Sequence, residues 1–442
     1  MSVIKIKDFG DYGNWINNND NKTSSVKSLK VLSPYFDKQI ATIPDSNSHH
    51  LDEAVNAASN AFLSWSKTNI RDRAQIMSRF KSIIEDDIDN LANIIALDNG
   101  KTIDDALGSI RRGVEVIDFA ISMPNVLKGE SSEVSPGINC VMTHEPLGVV
   151  AGITPFNFPV MVPLWMIPLA ITAGNTFILK PSEQTPLAAI KLAEYLEQAG
   201  LPKGVFNVVH GSKDIVEAIC DNSKIKAVAF VGSSKVAKIV YSRSTQNKKR
   251  AICLGGAKNH MIVVPDADVD STAKGLLASS MGSAGQRCMA ASVAVGVEDI
   301  DHIIDQLIDE AKRYELGKDM GTIISKTSLD RITNYINEAE KIKSEAEDTL
   351  REYEEKIQSA SKEAGEIISQ AKTQADEMIE NIKKKQDLKL SQMLNDSKDR
   401  INKQYEDSKD QIENAKIESI KLISAKFLTE SLNDDEIRKE IN

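Results

Sequence analysis

Four short apolar runs decide the fold: Gly148-Val149-Val150-Ala151-Gly152-Ile153, Asn175-Thr176-Phe177-Ile178-Leu179-Lys180, Val205-Phe206-Asn207-Val208-Val209 and Ala227-Val228-Ala229-Phe230-Val231-Gly232. Each has the length of a buried strand. The stretches between them, such as TPLAAIKLAEYLEQAG (185–200) and SKDIVEAICDN (212–222), repeat apolar residues at three- and four-residue spacing, the period of an amphipathic helix. Strand alternating with helix requires right-handed crossovers and yields a parallel sheet covered on both faces. The middle of the chain is therefore predicted to be α/β, with a further strand at His260-Met261-Ile262-Val263-Val264.

Upstream, LDEAVNAASNAFLSW (51–65) and RDRAQIMSRFKSIIEDDIDNLANIIALDNG (71–100) read as helices, the second ended by Asn99-Gly100. The run Phe158 to Ala173 is interrupted by Pro159, Pro163 and Pro168 and is expected to be a loop entering a buried helix.

Composition divides the 442 residues unevenly. All 13 prolines lie at or before Pro265, all three tryptophans at or before Trp165, and Gly365 is the only glycine after Gly321. Residues 338–442 hold 19 basic and 26 acidic side chains, and so carry −7 of the net −10. Neither part has the basic excess that binding to nucleic acid or an anionic membrane calls for, so neither is expected as a partner. No apolar run reaches membrane-span length, and the N-terminus lacks a secretory-signal pattern. Cys140, Cys220, Cys253 and Cys288 form neither a zinc pattern nor a disulfide framework, so a cytoplasmic chain without a metal is expected.

In the charged tail, stepping eleven residues from Ala346 gives Ile357, Ile368, Ile379, Leu390, Ile401, Ile412 and Ile423, all apolar. A second row holds Ala360, Ala371, Ile382, Met393 and Ala415 but fails at Gln404. Stepping by seven gives Tyr353, Ala360 and Ile367, then fails at Gln374 and Asn381. Eleven residues in three turns, about 3.67 per turn, favour a right-handed supercoil. A single narrow stripe on a helix of 338–429 cannot be buried alone, so a partner helix is predicted.

Two segments carry the chemistry. Gly285-Gln286-Arg287-Cys288-Met289-Ala290 places a thiol beside a permanent cation, and positive charge favours the reactive thiolate. Thr154-Pro155-Phe156-Asn157-Phe158-Pro159 follows the first strand directly, where open α/β sheets place ligands, and the Asn157 amide there could donate to a developing oxyanion.

With Lys180-Pro181-Ser182-Glu183, the stretch GLPKGVFNVVHG (200–211) and Phe230-Val231-Gly232-Ser233, these segments resemble the aldehyde dehydrogenase superfamily over residues 1 to about 335. The resemblance implies Cys288 as nucleophile and Asn157, with the Cys288 backbone N–H, as the oxyanion hole. It also implies an NAD site in which Lys180 and Glu183 hold the adenosine ribose and Gly232 and Ser233 approach the pyrophosphate. Thr154, Phe156, Ser182 and Gly211 would line the same cofactor.

Leu254 stands where most of these enzymes carry the glutamate that activates water. Together with Gly256-Ala257-Lys258-Asn259-His260 and PFNFPVMVPLWM (155–166), this resembles the coenzyme A-acylating branch, the methylmalonate-semialdehyde dehydrogenases. That branch implies coenzyme A as co-substrate and two arginines on the substrate carboxylate, here Arg287 and Arg112, with Arg111 adjacent. The implied domains are an NAD-binding domain over 1–253 with a bridging segment near 122–147, and a partial, C-terminally cut catalytic domain over 254–336. Beyond about residue 337 the chain resembles the soluble part of F-type ATP synthase subunit b or b′. A fusion follows, in which the first part is expected to form a homo-oligomer and the tail to pair with a b-type helix or a second copy.

Overall fold

The computed structural model describes residues 4, 6–22, 26–427 and 433–441. Side chains at 344–368, 427, 436, 440 and 441 lie outside the described residues, and with them the stripe positions Ala346, Ile357, Ile368, Ala360 and the heptad-step residues Tyr353 and Ile367. The chain divides into two compact units, Met1–Asn334 and Tyr335–Asn442.

The first unit opens with two hairpins, β1 (Asn14–Ile16) with β2 (Asn19–Asn21) and β3 (Ser28–Ser33) with β4 (Lys38–Pro44). Four helices follow: α1 (Ser48–Trp65), α2 (Ile70–Asp86), α3 (Ile88–Asn99) and α4 (Ile103–Val126). The pattern read as one helix over 71–100 is two, broken at Asp87. Both α1 and α2 begin at an asparagine cap, Asn47 and Asn69, whose side chain accepts a backbone N–H of the first turn. A separate hairpin, β5 (Glu130–Ser135) with β6 (Ile138–Met142), is exposed throughout.

The α/β layer then alternates as the apolar runs predict: β7 (Val149–Ile153), α5 (Met161–Thr172), β8 (Thr176–Lys180), α6 (Leu187–Gln198), β9 (Phe206–Val208), α7 (Lys213–Asp221), β10 (Ile225–Val231), α8 (Ser234–Gln246) and β11 (Arg250–Leu254). The seven-stranded sheet has the order β11-β10-β7-β8-β9-β1-β2. Its five long-crossover strands are parallel, and the N-terminal hairpin is added antiparallel at one edge. Residues of β7 and β8 are wholly buried, because helices cover both faces. One core lies between the sheet and α2–α6, around Phe80, Ile84, Leu91, Ile110, Leu164 and Phe177; another packs α1, α7 and α8 on the opposite face.

His260-Met261-Ile262-Val263 does not join this sheet. As β12 (Asn259–Val263) it pairs in parallel with β13 (Ala291–Gly296), flanked by α9 (Val269–Met281) and α10 (Asp301–Lys312). Ile262 is 70% exposed, and Val293 and Val295 also face solvent, an apolar surface unusual for a folded unit.

From the end of the first unit the chain enters one helix, α11 (Lys326–Phe427), followed by α12 (Asp434–Ile441). Within the second unit Lys421 pairs with Asp434, and Ile417, Ser424 and Ile437 are buried. The stripe residues Ile379, Leu390, Ile401, Ile412 and Ile423 are all exposed, at 57% to 63%.

Candidate active site

The strand order reverses direction at β7: β8 lies on one side and β10 on the other, with Ile153 in register with both Lys180 and Phe230. A crevice at the carboxyl ends of the strands is the position such a reversal creates for a ligand. Three of the predicted segments meet this edge: Thr154–Phe158 after β7, Lys180–Glu183 after β8 and Gly232-Ser233 after β10.

Thr154 is buried, with its N–H donating to the Lys180 carbonyl (3.1 Å). The Phe156 carbonyl accepts from Asn99 Nδ2 (2.8 Å) and Thr185 Oγ1 (3.2 Å), which fixes the turn from two sides. Lys180 is nearly buried and bonds Glu183 at 3.0 Å, while Glu183 remains partly open to solvent. The Ser182 hydroxyl accepts from the Gln184 N–H (3.2 Å). Gly211 has φ +143°, and a Cβ there would lie 2.7 Å from Ile215. Ser233 caps α8, its side chain accepting the Val236 N–H, so the first-turn amides of α8 open beside Gly232.

These residues fit a dinucleotide on two observations. A helix N-terminus favours a phosphate through its unpaired N–H groups and its dipole. The Lys180–Glu183 pair offers an ammonium and a carboxylate at the next strand end, matched to hydroxyls such as those of a ribose.

The structure also brings Asn157 to the cysteine segment. Asn157 Nδ2 donates to the Gln286 carbonyl (2.8 Å), two residues before Cys288. Gln286 is itself fastened, its Nε2 donating to the Ser283 and Thr322 carbonyls (3.1 Å each) and its Oε1 accepting from Ile324 N–H (3.1 Å). Asn259 Nδ2 donates to the carbonyls of Cys288 (2.8 Å) and Ala290 (3.0 Å). Just upstream, Ser283 and Ala284 hold φ near +55° and Gly285 +71°. Three consecutive left-handed residues, two with side chains, cost about 1–2 kcal/mol each for the non-glycines, the kind of strain kept where a loop is pinned by function. Cys288 is half-buried against Phe158, Met161, Val162 and Val231. Cys253, by contrast, is partly buried on the edge strand β11 against the second core, and burial pushes its thiol up to about 11.

The two arginines are not brought together. Arg112 and Arg111 lie exposed on α4. Arg287 is turned inward, donating to the carbonyls of Ala278 and Ser279, 4.0 Å from Asp105, with Nε buried and unpaired. Leu254 is more than half exposed at the sheet edge.

Two residues of this neighbourhood lie outside the sequence motifs. Gly100 ends α3 as its spacing predicts, at φ +82°, and its carbonyl also accepts the Thr322 N–H (2.8 Å). Lys101 is 1% exposed, its Nζ 3.9 Å from the Phe158 ring centre and its carbonyl held by Tyr35 Oη (2.9 Å). A lysine directly after a helix-ending glycine was the available signal. His210 is fully buried beside Lys180 with both ring nitrogens unpaired, and burial drives it down to about 3. Among the described residues no cluster of His, Cys, Asp or Glu could hold a metal, and no helix is long and apolar enough to cross a membrane.

Residues 21–347 match the aldehyde dehydrogenase family, and residues 322–422 match ATP synthase B/B′ CF(0). Malonate-semialdehyde dehydrogenase 1 of Bacillus licheniformis is 44% identical over 333 residues, 74% of this chain and 68% of that protein. The methylmalonate-semialdehyde dehydrogenase structure from Oceanimonas doudoroffii superposes with a TM-score of 0.74 at 41% identity, over 75% of this chain and 70% of that one. A Sinorhizobium meliloti structure complexed with NAD gives 0.73 at 40% identity, over 76% and 70%. Residues 21–347 are thus an aldehyde dehydrogenase fold whose methylmalonate-semialdehyde dehydrogenase homologues are its similar relatives, and the chain belongs to the aldehyde dehydrogenase family.

Proposed function

We propose that the first unit carries out thioester chemistry at Cys288: NAD-dependent oxidation of malonate or methylmalonate semialdehyde, with transfer of the acyl group to coenzyme A. The observation that carries this reading is the Asn157–Gln286 bond. It holds an amide donor beside the cysteine loop at the sheet's reversal point. The Cys288 thiolate adds to the aldehyde carbon, and the Asn157 amide with the Cys288 N–H receives the oxygen as it gains charge. Bound NAD, held by Lys180, Glu183 and the α8 N-terminus, supplies the hydride acceptor. Thr154, Phe156, Ser182 and Gly211 shape that binding edge. With Leu254 in place of a carboxylate base, water is not activated there, and the thioacyl group awaits a thiol. Loss of CO2 from the β-carboxylate then leaves a propionyl or acetyl group for coenzyme A.

Arg287 is the cation nearest the nucleophile in sequence and the candidate clamp for the substrate carboxylate, since a guanidinium grips both oxygens. Arg112 would have to be reached from the exposed face of α4. The reading assigns NAD binding to 1–253 and a partial catalytic domain to 254–336. The test is NADH formation from malonate semialdehyde with coenzyme A. The intact chain should turn over, Cys288→Ala should fall to background, and equal background rates for both would sink the proposal.

A second reading concerns the tail. Its exposed row Ile379, Leu390, Ile401, Ile412 and Ile423 favours pairing with another helix, a second copy or a stalk helix of the ATP synthase b type, in a right-handed coil. On that reading the chain is a stalk-like dimerisation element that need not catalyse. Ile401→Asp should then lower self-association in sedimentation, and unchanged association would exclude pairing through this row.

A further inference from the structure

We propose that Asp105 is a positioning residue for the cysteine loop: its carboxylate anchors the left-handed turn ahead of Cys288 and holds the Arg287 guanidinium in its inward place. Its bearing on the reaction rests on the reading of Cys288 as nucleophile, whereas the anchoring itself can be measured without turnover.

Thr102-Ile103-Asp104-Asp105 opens α4, and Thr102 Oγ1 accepts the Asp105 N–H (3.1 Å). In such a cap the side chain at the third helical position turns back to the cap's own N–H. Asp105 points elsewhere. Its Oδ2 accepts the Ser283 N–H (2.8 Å), 178 residues along the chain, while Asp104 beside it stays exposed.

Ser283 depends on that partner. It is 2% exposed and sits at φ +54°, the first of the left-handed residues Ser283, Ala284 and Gly285. A buried N–H without an acceptor is costly, and non-glycine residues in this conformation relax unless the turn is held. From Ser283 the fastening continues into the site. The Ser283 carbonyl receives both the backbone N–H and the Nε2 of Gln286 (3.1 Å each), and the Gln286 carbonyl receives Asn157 Nδ2 (2.8 Å). An unbroken series of contacts thus runs from the first turn of α4 to the amide read as the oxyanion donor.

The same carboxylate faces Arg287. Its Oδ1 lies 4.0 Å from Nη1, with the two side chains only 22% and 17% exposed. Nη2 donates to the carbonyls of Ala278 and Ser279 in the last turn of α9, the negative end of that helix. A Cβ on Gly282 would collide with Cζ and Nη2, so the guanidinium rests on bare backbone. Helix end, glycine and Asp105 together form its seat. The hydrogen bond to Ser283 and the charge toward Arg287 are separable tasks of one side chain.

The test compares Asp105→Ala, which loses both, with Asp105→Asn, which keeps an acceptor oxygen and loses the charge. Amide hydrogen exchange of the full chain, read by peptide mass, should be about tenfold faster in the peptide holding Ser283 for Asp105→Ala and close to wild type for Asp105→Asn. Exchange unchanged in Asp105→Ala, or raised equally in strand β7, overturns the anchor. Modification of Arg287 by phenylglyoxal, measured against the exposed Arg111, should rise about threefold in Asp105→Asn and stay level in Asp104→Asn. An unchanged Arg287-to-Arg111 ratio in Asp105→Asn overturns the charge part. Should Asp105→Ala not fold by circular dichroism, Asp105→Asn carries the test through Arg287. In turnover of malonate semialdehyde, kcat should fall about tenfold in Asp105→Ala and return in Asp105→Asn, and equal rates in the two variants would remove the link to the reaction. Wild-type chain without turnover would strike the dehydrogenase reading instead, and exchange and modification would still decide for or against the anchor.

Discussion

The two units use the same apolar side chains to opposite ends. In the first, Phe80, Ile84, Leu91 and Ile110 are fully buried between helices and a parallel sheet, and the apolar periods of that layer have neighbouring elements to receive them. In the second, Ile379, Leu390 and Ile401 repeat as regularly and remain exposed. Periodicity states which face an element wants to bury, but only the presence of another element decides whether that face is covered. The parallel-sheet layer of the first unit contains its own answer, and the described row on the helix stays open to solvent.

Substitutions should therefore behave differently in the two parts. The largest effect is expected from Phe80→Ala. Truncating a wholly buried aromatic costs about 3–5 kcal/mol, read as a lower urea midpoint for the first unit. Ile401→Asp should leave that transition where it is and act on self-association alone. A shift of the first unit's midpoint by Ile401→Asp would break the comparison.

Next is Gly100→Ala. Its left-handed backbone and a Cβ 2.2 Å from Thr322 Oγ1 force the Thr322 contact apart, at about 1–3 kcal/mol. The chain should unfold earlier and also lose Cys288 reactivity, because Thr322 holds Gln286. Reduced stability with unaltered alkylation of Cys288 would uncouple that corner from the site.

A smaller effect follows pH. Buried His210 stays neutral in the folded chain down to about 3, whereas an ordinary histidine in the unfolded chain takes its proton near 6.5. Between those values the unfolded state binds the extra proton, so stability from this group is complete above about pH 6.5 and is lost as pH falls below it. His210→Gln should flatten that acid limb in thermal melts recorded from pH 7 to 4, and an equally steep limb would remove His210 as its source. The smallest effect belongs to Lys384→Asp. This exposed residue pairs with Glu380 at 2.9 Å, off the apolar row, and its change should alter neither association nor melting measurably.

Much of this was legible in the sequence where information is local. The runs at 149–153, 176–180, 206–208 and 225–231 became neighbouring parallel strands, and Phe158 to Ala173 became a loop entering a buried helix despite its prolines. Family motifs led to Asn157 and to the cysteine loop, which the fold joins by one hydrogen bond. Lys101 and the second role of Gly100 escaped, because their meaning lies in contacts with Tyr35, Phe158 and Thr322 that no period or short motif records. The break at Asp87 escaped as well. Apolar spacing continues across it, and only the backbone there, at φ −111° and ψ 21°, leaves the helix. The exposed faces of β12 and β13 were not legible either: an apolar run signals a buried strand, yet Ile262, Val293 and Val295 face solvent.

The most direct test of the thioester chemistry is to catch it. Incubation with malonate semialdehyde and NAD, without coenzyme A, followed by acid quench and peptide mass analysis, should find the Cys288 peptide heavier by one acetyl group. The adduct should disappear when coenzyme A is added. An unmodified Cys288, or an adduct equally abundant on Cys140, would contradict the assignment of the nucleophile.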